Sequence, residues 1–190
     1  MSFRIEPAVP PYAAHVQQRF DKIMPSGLPP LVLFRTMARD DRLMERFFGA
    51  TLLDRGHLSL RERELTILRV CANNGSEYEW GVHVTAFSAA AKLTPTQVEQ
   101  TRKPATDVPA WTAREQLFLR ACDALQASCE LPDPLWAELR AELSDEAILE
   151  LLMLVGFYRL VSILTVGLRM PLEPWAARFS GPDTEDTSGV

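Results

Sequence analysis

The chain has little of what marks several common protein classes. Its 190 residues include three cysteines and three histidines. Cys71, Cys122 and Cys129 match neither a CxxC pair nor a zinc-ligand spacing, so they read as buried packing thiols in a reducing compartment. Basic charge is in deficit: 20 Lys and Arg against 25 Asp and Glu leave a net charge of −5. With no basic stripe either, a nucleic-acid partner is not expected. No segment alternates apolar and polar residues with period two between turn dipeptides, which argues against a sheet. The apolar run over 145–170 is interrupted by Glu150, Arg159 and Arg169, and a membrane span is not expected from it. The opening residues lack the basic start and continuous apolar core of a signal peptide, so the expected location is the cytoplasm.

What is present is a set of helix-start signals. Ser59…Glu62, Ser76…Glu79, Thr94…Gln97 and Thr112…Glu115 are four S/T-x-x-E/Q boxes, each before an apolar-periodic run, and Pro95 stands at the favoured first helical position of the third. These predict an all-α chain, with helices over 12–24, 31–38, 42–53, 59–73, 76–91, 94–102, 112–128, from 133, and 144–170. Residues 1–180 read as one helical domain, with a core unit at about 40–102, a second unit at 111–171, a Pro-containing linker between them, and a disordered polar tail at 181–190. Arg63-Glu64, Leu68-Arg69 and Cys71 recur as Arg114-Glu115, Leu119-Arg120 and Cys122, which hints at a duplicated helical unit. Gly156 and Gly167 in the last helix would let other helices approach closely.

One spacing looks like chemistry. Glu79 and His83 are four apart, so on a helix they share a face. That helix is apolar on almost every side, which predicts that acid and imidazole share a poorly hydrated place and titrate together. Glu64 lies on the preceding helix, and a short turn at Asn73-Asn74-Gly75 would fold that helix back to bring it to the same pocket. Each residue also has a plainer reading. Glu79 can close a capping box on Ser76, His83 can be a satisfied core histidine, and Glu64 can be a solvated partner of Arg61 or Arg63. Arg159 needs either an acidic neighbour or a ligand.

Over RELTILRVCANNGSEYEWGVH (residues 63–83), and more loosely to Gln97 and through the last helix, the chain resembles the carboxymuconolactone decarboxylase and alkylhydroperoxidase D-like family. The resemblance implies a multi-helical bundle that assembles as a dimer, trimer or hexamer. In the peroxidase branch the motif is an upstream Glu followed by C-x-x-C-x-x-x-H. Here Glu64 and His83 fall on the Glu and His, while Ser76 and Glu79 occupy the cysteine positions, so a dithiol peroxidase cycle lacks its nucleophile and its resolving partner. The decarboxylase branch implies a lyase that needs neither metal nor organic cofactor. On that likeness His83 transfers the proton, Glu79 orients and tunes it, Glu64 relays, Tyr78 and Trp80 wall the pocket, and Arg69 or Arg159 holds a substrate carboxylate. The expectation is a cofactor-independent acid/base enzyme acting on a small organic acid or lactone. The alternatives are an alkylhydroperoxidase-like antioxidant protein, or a non-enzymatic helical oligomer with a structural Glu/His pair. A metal held by the two carboxylates and one imidazole ranks below these, since only one imidazole is available locally.

Overall fold

The computed structural model describes residues 3–104 and 111–180. The proposed tail at 181–190, and most of the proposed linker, lie outside them. Among the described residues there are nine helices and no strand: α1 (Ala14–Ile23), α2 (Val32–Met37), α3 (Asp41–Phe48), α4 (Leu60–Asn73), α5 (Glu77–Phe87), α6 (Pro95–Gln100), α7 (Ala113–Ser128), α8 (Asp133–Glu142) and α9 (Asp145–Gly167).

Three of the four boxes close as capping boxes, at Ser59/Glu62, Thr94/Gln97 and Thr112/Glu115. Each supplies partners for backbone amides that a helix start leaves open. The fourth does not. Ser76 has φ −84° and ψ 77° and makes no cap bond; its hydroxyl instead pairs with Thr165 Oγ1 of α9 at 2.8 Å. The predicted helix over 42–53 stops at Phe48, and the one over 76–91 stops at Phe87.

The centre of the molecule is α4, where every residue from Glu64 to Cys71 is buried. A helix buried all round must have neighbours on all sides, and α4 packs on α5, α7 and α9. Each fully buried aliphatic side chain there contributes roughly 1.5–3 kcal/mol. Its C-terminus turns through Gly75, at φ +65°. Gly75 N–H bonds Ala72 O at 3.0 Å and Ser76 N–H bonds Cys71 O at 2.9 Å. This is the paired closure of a Schellman turn, and it folds α5 back along α4.

The N-termini of α4 and α7 lie side by side. Arg61 donates to Glu115 at 2.5 Å and Arg114 to Glu62 at 2.7 Å, so the capping glutamate of each helix takes the arginine of the other. Further along the same pair Arg69 meets Asp123 at 2.6 Å. The echoed RE dipeptides supply Arg114 and Glu115 to this clasp.

Residues 171–180 form a strap across α2 and α5. Glu173 accepts from Val32 N–H at 2.6 Å and from Tyr78 OH at 2.5 Å. Ala177 N–H lies 3.2 Å from Gly81 O and 2.9 Å from Thr85 Oγ1. Of two expectations about packing, the first is narrowed and the second corrected. Within the chain no described helix packs against Gly156 or Gly167, which have open space where a Cβ would sit on the exposed side of α9, so any close approach there would be to another copy and not to the core. Cys71 and Cys122 are buried but Cys129 is exposed, at the left-handed end of α7.

Candidate active site

The fold-back of α5 on α4 places His83 between two carboxylates. Its Nδ1 is 2.7 Å from Glu64 Oε2, and its Nε2 is 3.4 Å from Glu79 Oε1. All three side chains are buried. The second oxygen of Glu64 is 3.1 Å from Arg63 Nε, so this carboxylate is held between two nitrogen donors. The plainer reading of Glu64 as a solvated partner of Arg63 is half right: the pair forms, but the carboxylate is sealed inside. Arg63 is fixed in turn by Leu53 O at 2.9 Å and lies over the Phe87 ring.

Burial works against a charged imidazole. The attraction and hydrogen bond of Glu64, followed by those of Glu79, outweigh it and hold the His83 pKa up at about 9. The ring is therefore an imidazolium at neutral pH that donates to Glu64 through Nδ1 and faces the Glu79 carboxylate through Nε2 as an ion pair.

Glu79 differs from Glu64 in one respect. Its Oε2 is buried and has no hydrogen-bond partner among the described residues. A buried carboxylate oxygen without a partner is costly, on the order of 1–3 kcal/mol. Glu79 and His83 line a cavity of about 520 Å³ whose wall is otherwise largely apolar, with Leu31, Phe34, Phe47, Val82 and Phe157 among its residues. That volume lies in the range of about 300–1,000 Å³ usual for small-molecule sites. Glu64 does not line the cavity and sits behind the imidazole.

The expected pocket walls and anion holders lie elsewhere. Tyr78 turns its hydroxyl to Glu173, and Trp80 gives its indole N–H to Thr101 Oγ1 at 3.0 Å. Arg69 is spent on Asp123 and on the carbonyls of Thr101 and Lys103. Among the described residues Arg159 meets no acid and lies outside the cavity; its Nη1 is 3.5 Å from Cys129 Sγ. None of the four lines the cavity. Among the described residues Arg19 is the one guanidinium that does, and it is paired with Glu45 at 2.8 Å.

Two cavity residues were not singled out from sequence. Tyr158 of α9 sets its ring edge-on to His83 at 5.1 Å, and burial, then the charges of Glu79 and Glu64, push its phenol well above the usual range. Trp175 of the strap lines the same cavity, with a buried Nε1 that lacks a partner among the described residues. Neither sits in a motif: Tyr158 lies in an apolar run and Trp175 beyond the last helix. No cysteine lines the cavity, and burial, then Glu79, raises the Cys71 thiol well above its ordinary pKa. Among the described residues no group of three or more His, Cys, Asp and Glu is arranged to hold a metal ion.

Residues 41–123 match the model of the carboxymuconolactone decarboxylase family. This stretch runs from α3 into α7 and contains Glu64, Glu79 and His83. No curated protein matches the chain. Solved structures share its fold. An uncharacterized peroxidase-related protein from Silicibacter sp. TM1040 superposes with a TM-score of 0.79 over 95% of this chain and 99% of that one, at 17% identity. An uncharacterized peroxidase-related protein from Ralstonia eutropha JMP134, described as an alkylhydroperoxidase AhpD core, gives 0.75 over 86% and 87%, at 19% identity. A protein of unknown function from Agrobacterium tumefaciens gives 0.57 over 68% and 85%, at 24% identity.

Proposed function

We propose that this protein, whose residues 41–123 carry the carboxymuconolactone decarboxylase family unit, is a cofactor-independent acid/base enzyme that moves a proton on a small lactone or related carbonyl compound. The observation that carries the reading is Glu79 Oε2, a buried acceptor with no partner among the described residues, on a residue that lines an apolar cavity. In the proposed step Glu79 takes the proton from the carbon next to the carbonyl, and the electron pair moves onto the carbonyl oxygen. His83, charged and held by Glu64, steadies Glu79 as its charge changes and supports return of the proton.

A substrate carboxylate fits this cavity poorly. Arg69 and Arg159 are engaged elsewhere and Arg19 is paired, so the neutral lactone is favoured over the acid. A thiol peroxidase is disfavoured, since no cysteine lines the cavity. A purely structural Glu/His pair has one observation in its favour, that both ring nitrogens face carboxylates. Against it stands the open oxygen of Glu79, which a packing role has no reason to leave unpaired. We read the molecule as a homo-oligomer, supported by the exposed apolar side of α9, where Leu149, Met153, Leu160 and Ile163 stand out.

The test is exchange of α-hydrogen for deuterium in neutral lactones and cyclic ketones incubated with the protein in D2O. Wild type is expected to catalyse exchange, and His83→Gln to lose about 10²-fold or more of the rate, the scale of a positioned acid/base. Absence of exchange across the panel would leave the structural reading standing.

A further inference from the structure

Three features bear on what the cavity holds. Its wall is long and apolar, running from Ile23, Leu28 and Leu31 through Phe34, Phe47 and Phe48 to Phe157. Two residues of its lining, Glu79 and Trp175, each carry a buried polar atom without a hydrogen-bond partner among the described residues, the acceptor Oε2 and the donor Nε1. Arg19, which also lines the cavity, is already paired with Glu45 at 2.8 Å and lies 5.7 Å from the Phe48 ring centroid.

Trp175 is held in place by its neighbours in the strap. Glu173, two residues before it, bonds Tyr78 and Val32, and Ala177, two residues after it, bonds α5. A buried indole N–H without an acceptor costs free energy that a ligand carbonyl would recover.

We propose that the substrates are neutral lactones or ketones bearing an alkyl tail, with the tail along the apolar wall and the carbonyl oxygen accepting from Trp175 Nε1. This rests on the proton-transfer reading above and extends it. When Glu79 removes the α-proton, the electron pair of that C–H bond becomes the new C=C and the carbonyl π-pair moves to oxygen. The resulting enolate oxygen accepts from the same indole N–H, and return of the proton to carbon closes the cycle with no other reactant. Trp175 is then the specificity-determining donor for the oxyanion.

Calorimetric titration of the full-length protein with γ-lactones carrying a methyl, butyl or hexyl tail tests the proposal. The comparison ligand is the ring-opened hydroxy-acid anion of the hexyl compound. Each added methylene is expected to tighten binding about threefold to fourfold, from about 0.8 kcal/mol per buried CH2. The anion is expected to bind at least ten times more weakly than its lactone. In Trp175→Phe the hexyl lactone is expected to bind about tenfold more weakly, while the matched cyclic ether, which lacks the carbonyl, binds unchanged. Circular dichroism reports whether the variant folds, and the tail series on wild type needs no variant.

Equal affinity along the series, or an anion as tight as the lactone, overturns the proposed substrate class. If tails discriminate but no lactone exchanges its α-hydrogen, the binding assignment stands and the proton-transfer reading fails. If short lactones exchange without discrimination, the reverse holds.

Discussion

At the residue scale, the fate of His83 depends on a balance between burial and its two carboxylates. The ring titrates near 6.5 when unfolded and at about 9 when folded. A raised pKa adds stability that is fully present below about pH 6.5 and is lost as pH rises through about 9. At about 1.4 kcal/mol per unit, a shift of this size is worth about 3 kcal/mol. The stability difference between wild type and His83→Gln, measured by urea unfolding, is therefore expected to be largest near pH 6 and to shrink by that order towards pH 9.5. A difference that stays constant over this range would mean the imidazole is not charged in the fold. Buried Cys71 and Cys122, raised first by burial, also lower stability at high pH because unfolded thiols ionise earlier. Comparing wild type with His83→Gln removes the part common to both proteins, and repeating the comparison on a Cys71→Ala background removes the rest, since Glu79 and Glu64 also act on that thiol.

At the scale of elements, the strap and α5 meet at Gly81, where an added Cβ would lie 2.1 Å from Ala177 O. An alanine in a helix gains about 1 kcal/mol over glycine, but forcing extra volume into packed structure costs about 1–3 kcal/mol. The obstacle here is backbone, so the clash is expected to win. Gly81→Ala should lower the melting temperature and speed tryptic cleavage within 172–180. A variant as stable as wild type, with the strap still protected, would show that α5 and the strap do not need this approach.

The helices were legible in the sequence because capping boxes and apolar periodicity are local. Three boxes closed as their sequence implies. The one that did not, Ser76/Glu79, lies where tertiary partners compete: Thr165 takes the serine and His83 takes the glutamate. The approach of Glu64 to His83 was legible because a short Gly turn between two apolar helices leaves little choice but to fold back. The positions of Arg69, Tyr78, Trp80 and Arg159 were not, because helical spacing gives a residue's face without saying which neighbour that face meets. Asp123, Glu173, Thr101 and Cys129 supply those neighbours from 21 to 95 residues away.

At the scale of the whole molecule, α9 has two sides. Ile148, Leu151, Leu154, Val155, Tyr158 and Val161 are buried against the core, while Leu149, Met153, Leu160, Ile163 and Val166 are 46–61% exposed. The helix is long and apolar enough to cross a membrane by length and composition, with half of its most apolar window buried inside the protein. The exposed residues 149, 153, 160 and 163, with Gly156 between, follow the alternating four-and-three spacing of a helix–helix seam. This is the face on which the proposed homo-oligomer would pack a second copy of the chain. Ile163→Glu is expected to reduce the sedimenting mass to that of one chain without changing the circular dichroism spectrum. A wild type that already sediments as one chain at tens of micromolar would contradict it.

The account depends on Glu79 being the group that receives the substrate proton. The most direct measurement compares α-deuterium exchange into a hexyl-tailed lactone by wild type and by Glu79→Gln, side by side at pH 7. Catalysed exchange is expected in wild type and a rate at the uncatalysed background in the variant, which keeps the side chain's size but has no carboxylate to accept the proton. Exchange in Glu79→Gln at the wild-type rate would contradict it.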